Sequence, residues 1–357
     1  MSTKILSSSE YPQLQPAYGL WKRYDPASAP LRFQARTVAE AQNWQRSTRP
    51  ALFQTIGFAD LPPAPLDPVL IERFETDEMI REKWLIRTWP DALMPVYLLF
   101  PRTGKPPYPA VLAFAGHGYG VKDILGIWEN GQERLEPDGY QHEFGLELCR
   151  HGFMVVAPEI SCFGERQTDY SYLDQTLGQT VPTTCEQTAH LALHLGGSVV
   201  GLRVHDGLRL VDWLQTRADV DMGCLGAMGI SGGGMHTLFS TCLDERIRAC
   251  VISGYYSTFR DSVLAMSHCA CNFVPGLHRF GEMYDLIGLV APRPVLIEAG
   301  THDPLFPIAA VNASVKIARE RVYRLWKAEN LFETDIFEGR HHISGKRAYD
   351  FLKEKLV

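Results

Sequence analysis

Cys224-Leu225-Gly226-Ala227-Met228-Gly229-Ile230-Ser231-Gly232-Gly233-Gly234-Met235 is the stretch on which the reading of this chain turns. The run Cys224 to Gly229 is short and apolar, as a buried strand is, and Met235, Leu238, Phe239 and Cys242 follow at helical spacing. Between them Gly229-Ile230-Ser231-Gly232-Gly233 is a G-x-S-x-G pattern in a strand, tight turn and helix context. A serine lifted onto so sharp a turn sits at strained backbone angles, and only glycines two residues to either side let the neighbouring backbones pass. The bland alternatives are a plain glycine-rich turn or a phosphate loop. A phosphate loop wants a lysine after its glycines, and Met235 stands there.

A serine hydroxyl is a weak nucleophile until a base takes its proton, so an acid and a histidine should follow in the order Ser, Asp or Glu, His. Asp303 lies in Gly300-Thr301-His302-Asp303-Pro304, just past an apolar run at Pro294 to Ala299, where a strand-end loop faces the serine turn. Its competing reading is a helix cap or turn aspartate before Pro304. Glu298 falls inside that strand and Asp285 at its opposite end, so both fit less well. The base is His341, two residues after Gly339, or its neighbour His342, and His341 is the preferred candidate. His236, on the helix after Ser231, and His302, ahead of the acid, fit worse. Attack by the serine would place negative charge on a carbonyl oxygen. The N–H of Gly232 is one donor for it, and the glycine-rich loop Ala115-Gly116-His117-Gly118-Tyr119-Gly120 should supply a second, from His117 with Tyr119 as alternate.

Working outward, short apolar runs alternate with helical stretches from Ala110 onward, which is how a buried parallel sheet reads. The expected strands are Ala110 to Ala115, Phe153 to Ala157, Cys224 to Gly229, Ala249 to Ser253, Pro294 to Ala299 and Asp335 to Phe337. The clearest helices are Val200 to Leu214 and Ile308 to Trp326. Ile71 to Phe74, Lys83 to Thr88 and Met94 to Phe100 read as antiparallel strands at one edge. The fold class is therefore α/β, a mostly parallel doubly wound sheet flanked by helices, with chemistry beyond the carboxyl ends of the strands. Residues 1–68 read as an N-terminal helical extension and linker, and 69–357 as the catalytic domain. Two excursions, 122–145 and 162–197, are too long for plain connections and should reach over the active edge.

Composition excludes several classes. With 35 basic against 41 acidic residues and no basic cluster interleaved with aromatics, nucleic acid is not an expected partner. Met1 to Gln13 lacks the order of a signal peptide and no apolar run is long enough to span a bilayer, so no membrane partner and a cytoplasmic address are expected. The eight cysteines are irregularly spaced, as reduced buried thiols are. Neither His190 with His194 nor His268-Cys269-Ala270-Cys271 has a partner motif that completes a zinc set, so no metal is expected.

Together these motifs resemble the dienelactone hydrolase-like and acetyl xylan esterase-like branch of the α/β-hydrolases. The resemblance rests on Gly116-His117-Gly118, Phe163-Gly164-Glu165-Arg166, the Gly201 to Trp213 helix leading to Ser231, Ala291-Pro292-Arg293-Pro294, Gly300-Thr301-His302-Asp303-Pro304 and Gly339-Arg340-His341. It implies the α/β-hydrolase fold, with a triad falling on Ser231, Asp303 and His341. Three positions depart from the pattern. Ser231 replaces the cysteine of dienelactone hydrolases proper, which favours carboxylic-ester cleavage. Ala115 stands where many relatives have a histidine opening the oxyanion loop, and Arg340 replaces a second glycine. The expected function is a serine esterase without a cofactor, acting on a short acyl ester, such as acetyl, of a small molecule or carbohydrate. Self-association into a homo-oligomer stays open. A serine peptidase with the same triad is the rival within the enzyme class, and a non-catalytic scaffold that kept the fold is the rival outside it.

Overall fold

In the computed structural model, residues 3–62, 64–168 and 184–357 are described. Part of the expected 162–197 excursion therefore lies outside the described residues. Among the described residues nine strands form one sheet in the order β1-β2-β3-β5-β4-β6-β7-β8-β9. The first three, β1 (Val69–Glu75), β2 (Met79–Trp89) and β3 (Ala92–Pro101), are antiparallel, and β3 meets β5 (Met154–Pro158) antiparallel as well. From β5 onward the strands β4 (Tyr108–Phe114), β6 (Val220–Ile230), β7 (Ala249–Ser253), β8 (Val295–Gly300) and β9 (Phe332–Phe337) pair in parallel. This is the mostly parallel sheet that the alternating pattern predicts, with the antiparallel hairpins at one edge.

The parallel strands are apolar on both faces because helices cover both faces. Cores form on either side of the sheet, one around Leu112, Val156, Ala227 and Ile252 and the other around Val111, Val155, Met228 and Val251. The alternation along each strand sends neighbours to opposite layers. The first layer takes α2 (Val38–Ile56), α5 (Val199–Gln215), α6 (Gly232–Leu243) and α7 (Ile308–Ile317). The second takes α3 (Phe144–Arg150) and α8 (Ala348–Leu356), and α4 (Thr184–His194) lies beyond α5. A short α1 (Pro16–Arg23) precedes them and buries none of its residues.

The N-terminal helical segment is joined to the sheet layers through α2. Thr37 caps this helix by accepting the N–H of Glu40 at 3.2 Å, and Ala41, Leu52 and Ile56 enter the first core. Arg49 and Gln45 donate to the carbonyls of Cys242, Leu289, Gly288 and Ala291. The helix expected over Ile308 to Trp326 changes its winding after Ile317, first to a wide turn and then to a tight one. Val322 and Tyr323 are both buried as a result, and the Tyr323 hydroxyl donates to the carbonyl of Arg293 at 2.7 Å. Among the described residues no helix is long and apolar enough to cross a membrane.

Candidate active site

The carboxyl end of β6 runs without a spacer into the N-terminus of α6, and Ser231 is the single residue between them. It stands at φ 56°, ψ −119°, a conformation that L residues avoid and that survives only where surrounding structure enforces it. The enforcement is visible: the Ser231 N–H donates to the carbonyl of Ser253 at 3.0 Å, and its own carbonyl accepts the N–H of Met235 at 2.9 Å. A Cβ on Gly233 would overlap the Phe114 carbonyl, and one on Gly229 would overlap Gly233. The glycines on either side of the serine are therefore a packing requirement, as the steric argument predicts.

Asp303 lies in the loop between β8 and α7. Its Oδ1 accepts the N–H groups of Leu305 at 2.8 Å and Phe306 at 3.2 Å, which fixes the carboxylate and leaves Oδ2 for the His341 Nδ1 at 2.7 Å. The Asp303 side chain is 1% exposed and that of His341 14%. The His341 ring lies near-parallel to Tyr140, with centroids 5.4 Å apart, and to Phe306 at 5.8 Å. Its remaining nitrogen, Nε2, is buried without a hydrogen-bond partner among the described residues. His342 is occupied elsewhere: its Nδ1 lies 2.8 Å from the carbonyl of Ile343, and its ring packs on His142 and Phe337. The geometry thus brings His341, and not His342, to the acid.

Ser231, Gly232, His117, Tyr140, Phe306 and His341 line a common cavity of about 270 Å³. Neither the His117 N–H nor the Gly232 N–H is engaged by a partner among the described residues. Gly232 opens α6, so its amide sits at the positive end of the helix dipole. The 117 loop is braced from the 122–145 excursion. Gln141, fully buried, accepts the Gly116 N–H at 2.7 Å and donates to Asp123 at 2.7 Å, and Arg134 donates to both Asp123 and Glu143. The Tyr140 hydroxyl donates to the His117 carbonyl at 2.7 Å, and Tyr140 lines the cavity together with Ser231. The Tyr119 hydroxyl donates to the carbonyl of Ile127 at 3.0 Å and accepts from Arg134 at 2.9 Å.

The other acids have different work. Glu298 in β8 is wholly buried and accepts from the Ser253 hydroxyl and the Ser344 and Gly345 N–H groups, and burial pushes it up to about 7 despite these donors. Asp285 pairs with Glu282 in a short capped helical turn far from the cavity. Residues that the sequence reading did not single out for the site also line it. Phe306 and Leu305 were reachable from Asp303 by proximity in the chain, whereas Tyr140 and Asn272 carry no motif. His268 lines the cavity too, and burial holds its imidazole below the ordinary range. The same wall brings Cys269 and Cys271 against His117 and Cys185, a grouping that linear spacing hides because His117 and Cys271 are 154 positions apart. His190 and His194 are exposed.

A mostly parallel sheet with a strained serine at a strand–helix turn is the architecture of an α/β-hydrolase. The chain belongs to the Abhydrolase family, whose model matches residues 20–322. It is 30% identical over 284 residues to "Putative hydrolase YtaP" of Bacillus subtilis, covering 76% of this chain and 85% of that protein. Solved structures with the same fold include a "putative acetyl xylan esterase" of Bacteroides fragilis, at TM-score 0.73 and 18% identity over 94% of this chain and 83% of that one. A glucuronoyl esterase of Solibacter usitatus superposes at TM-score 0.64 and 14% identity, over 89% of this chain and 94% of that one. Acetyl Xylan Esterase 1 of Thermoanaerobacterium superposes at 0.55 and 16% identity, over 91% and 100%.

Proposed function

We propose that the chain is a serine esterase that cleaves short-acyl carboxylic esters through an acyl-enzyme on Ser231. The observation that carries this reading is the Asp303–His341 pair at 2.7 Å on a ring that shares its cavity with Ser231. Asp303 fixes the imidazole tautomer with Nδ1 protonated, which leaves Nε2 as the base. His341 takes the Ser231 proton as Oγ attacks the ester carbonyl carbon, and the N–H groups of His117 and Gly232 receive the oxyanion. Collapse breaks the bond to the alcohol oxygen, and the imidazolium returns its proton to that oxygen. Water, deprotonated by His341, then attacks the acyl-enzyme, and Ser231 departs as the hydroxyl with the carboxylic acid as second product.

The space supports a small acyl group. A cavity of about 270 Å³ shared with the Tyr140 and Phe306 rings holds an acetyl-sized group comfortably and a long acyl chain poorly. A second cavity of about 530 Å³, lined by Tyr24, Phe259, Val263 and Val274, shares Asn272 with the first and would offer room for a larger alcohol. Esters of carbohydrates are named among the structural neighbours and suit that arrangement. Steady-state hydrolysis of p-nitrophenyl acetate, butyrate and octanoate tests the reading. The expected result is highest kcat/KM for acetate and a loss of roughly 10^4-fold or more in Ser231→Ala. Equal activity in the Ser231→Ala variant would refute it.

A further inference from the structure

In the wall of the cavity lies a cluster of side chains whose sulfur and imidazole atoms the proposed acyl chemistry does not use. Cys185 comes from α4, Cys269 and Cys271 from the segment between β7 and β8, and His117 from the loop after β4. One ligating atom from each lies within 4.8 Å of every other. Cys185 Sγ is 3.2 Å from Cys269 Sγ, and Cys271 Sγ is 3.4 Å from His117 Nε2. Cys185 and Cys271 are buried, and Asn272 directs its amide at the Cys271 sulfur and the Cys269 carbonyl. Against the cluster stands Arg203, 0% exposed, and its charge is the puzzle. Its Nη2 donates to the Ser161 carbonyl at 3.2 Å and approaches Cys185 Sγ at 3.9 Å, while Nε and Nη1 have no partner among the described residues. No carboxylate among the described residues pairs with it, although a buried lone cation costs several kcal/mol.

We propose that His117, Cys185, Cys269 and Cys271 bind one zinc ion as a closed, structural site whose net negative charge is neutralised by Arg203. Three thiolates, a neutral imidazole and a divalent ion sum to one negative charge, and the guanidinium cancels it. Sulfur and imidazole ligands select zinc over magnesium or calcium. Tetrahedral Zn–S and Zn–N bonds place two sulfurs about 3.8 Å apart and a sulfur and a nitrogen about 3.5 Å apart, so against separations here of 3.2 Å to at most 4.8 Å the side chains need shifts of up to about 1 Å to close on the ion. As the metal binds, three thiol protons pass to solvent. A Cys185–Cys269 disulfide would use two of the thiols but leave His117, Cys271 and the buried Arg203 unexplained. Where the serine-esterase reading holds, the site has a second consequence. The imidazole that binds zinc belongs to the residue whose N–H serves the oxyanion, so the metal, Gln141 and Tyr140 fix that donor together.

The test is metal content. Full-length protein purified with a reductant and without chelator, then analysed by inductively coupled plasma mass spectrometry, should carry one zinc per chain. The Cys269→Ser and Cys271→Ser variants should carry a trace. Because either variant can fail to fold, Co2+ is also added to reduced, zinc-depleted wild-type protein. A tetrahedral thiolate site gives intense visible bands with a thiolate charge-transfer band in the near ultraviolet. Wild-type protein without zinc and without a cobalt spectrum overturns the proposal, as does a Cys185–Cys269 disulfide recovered from protein alkylated in the cell. Ser231→Ala should retain its zinc, so loss of the esterase reading and loss of the metal site are read separately.

Discussion

Two adjacent histidines pose the sharpest question at the scale of single residues. Gly339-Arg340-His341-His342 does not itself say which imidazole turns inward, since both lie on one short loop. The structure separates them by partner: His341 meets Asp303 at 2.7 Å, and His342 packs against His142 and Phe337. His341→Ala should lower kcat for p-nitrophenyl acetate by roughly 10^4-fold, and His342→Ala by no more than a few-fold. The reverse ranking would move the base to His342. Legibility followed the same division. Ser231 was readable because its strained turn demands glycines that stand out in a sequence, and Asp303 because it ends an apolar run. Tyr140 and Arg203 left no such mark, since an aromatic in a loop and an arginine on a helix are ordinary until the fold shows what they touch.

At the scale of elements, the strand ends carry the site and the excursions brace it. Gln141 acts from the 122–145 excursion on the loop after β4, holding the Gly116 N–H and Asp123 at 2.7 Å each. Gln141→Leu leaves the Gly116 N–H without a partner, at about 1–3 kcal/mol, and removes one of the donors to Asp123, which Arg134 still holds. Its expected effect is a kcat lowered by roughly 10- to 100-fold with KM changed much less, because the loop that loses its brace carries the His117 N–H proposed to meet the oxyanion. A change confined to KM would contradict that role. In β8, Glu298 gives a pH signature. Burial raises it from the ordinary carboxylate range to about 7, so the folded chain holds a proton that the unfolded chain releases at lower pH. Its contribution to stability is complete at low pH and is lost as pH rises through about 7. Glu298→Gln should therefore be less stable than wild type at pH 5, with the gap narrowing by about 2 kcal/mol by pH 8. A gap that stays constant between those pH values, measured by urea unfolding, would show that Glu298 does not titrate this way. The sheet was legible because buried parallel strands are short apolar runs at helical intervals. The change of winding after Ile317 was not, because the apolar pattern continues through it.

For the molecule as a whole, the nine-stranded order places β6 in the interior of the sheet and brings the loops after β4, β6, β8 and β9 to one edge. The Ser231, His117, Asp303 and His341 positions, far apart in sequence, meet there as consequences of one topology. The N-terminal helix α2 belongs to that body energetically, since Leu52 and Ile56 are fully buried in the larger core. What the sequence could not convey was the other cluster at the same edge. Cys269 and Cys271 stand out in the sequence as a short pair, but His117 and Cys185 join them only once the fold is closed, and no linear spacing announces those two. The central claim is that this architecture activates Ser231 as a nucleophile. Its most direct test is to treat the wild-type protein and Asp303→Asn with a fluorophosphonate and locate the adduct by peptide mass spectrometry. The account predicts stoichiometric phosphonylation on the peptide at Ser231 in wild type and strongly slowed labelling in Asp303→Asn. A wild-type protein that stays unlabelled, or one labelled at another residue while Ser231 remains free, would contradict it.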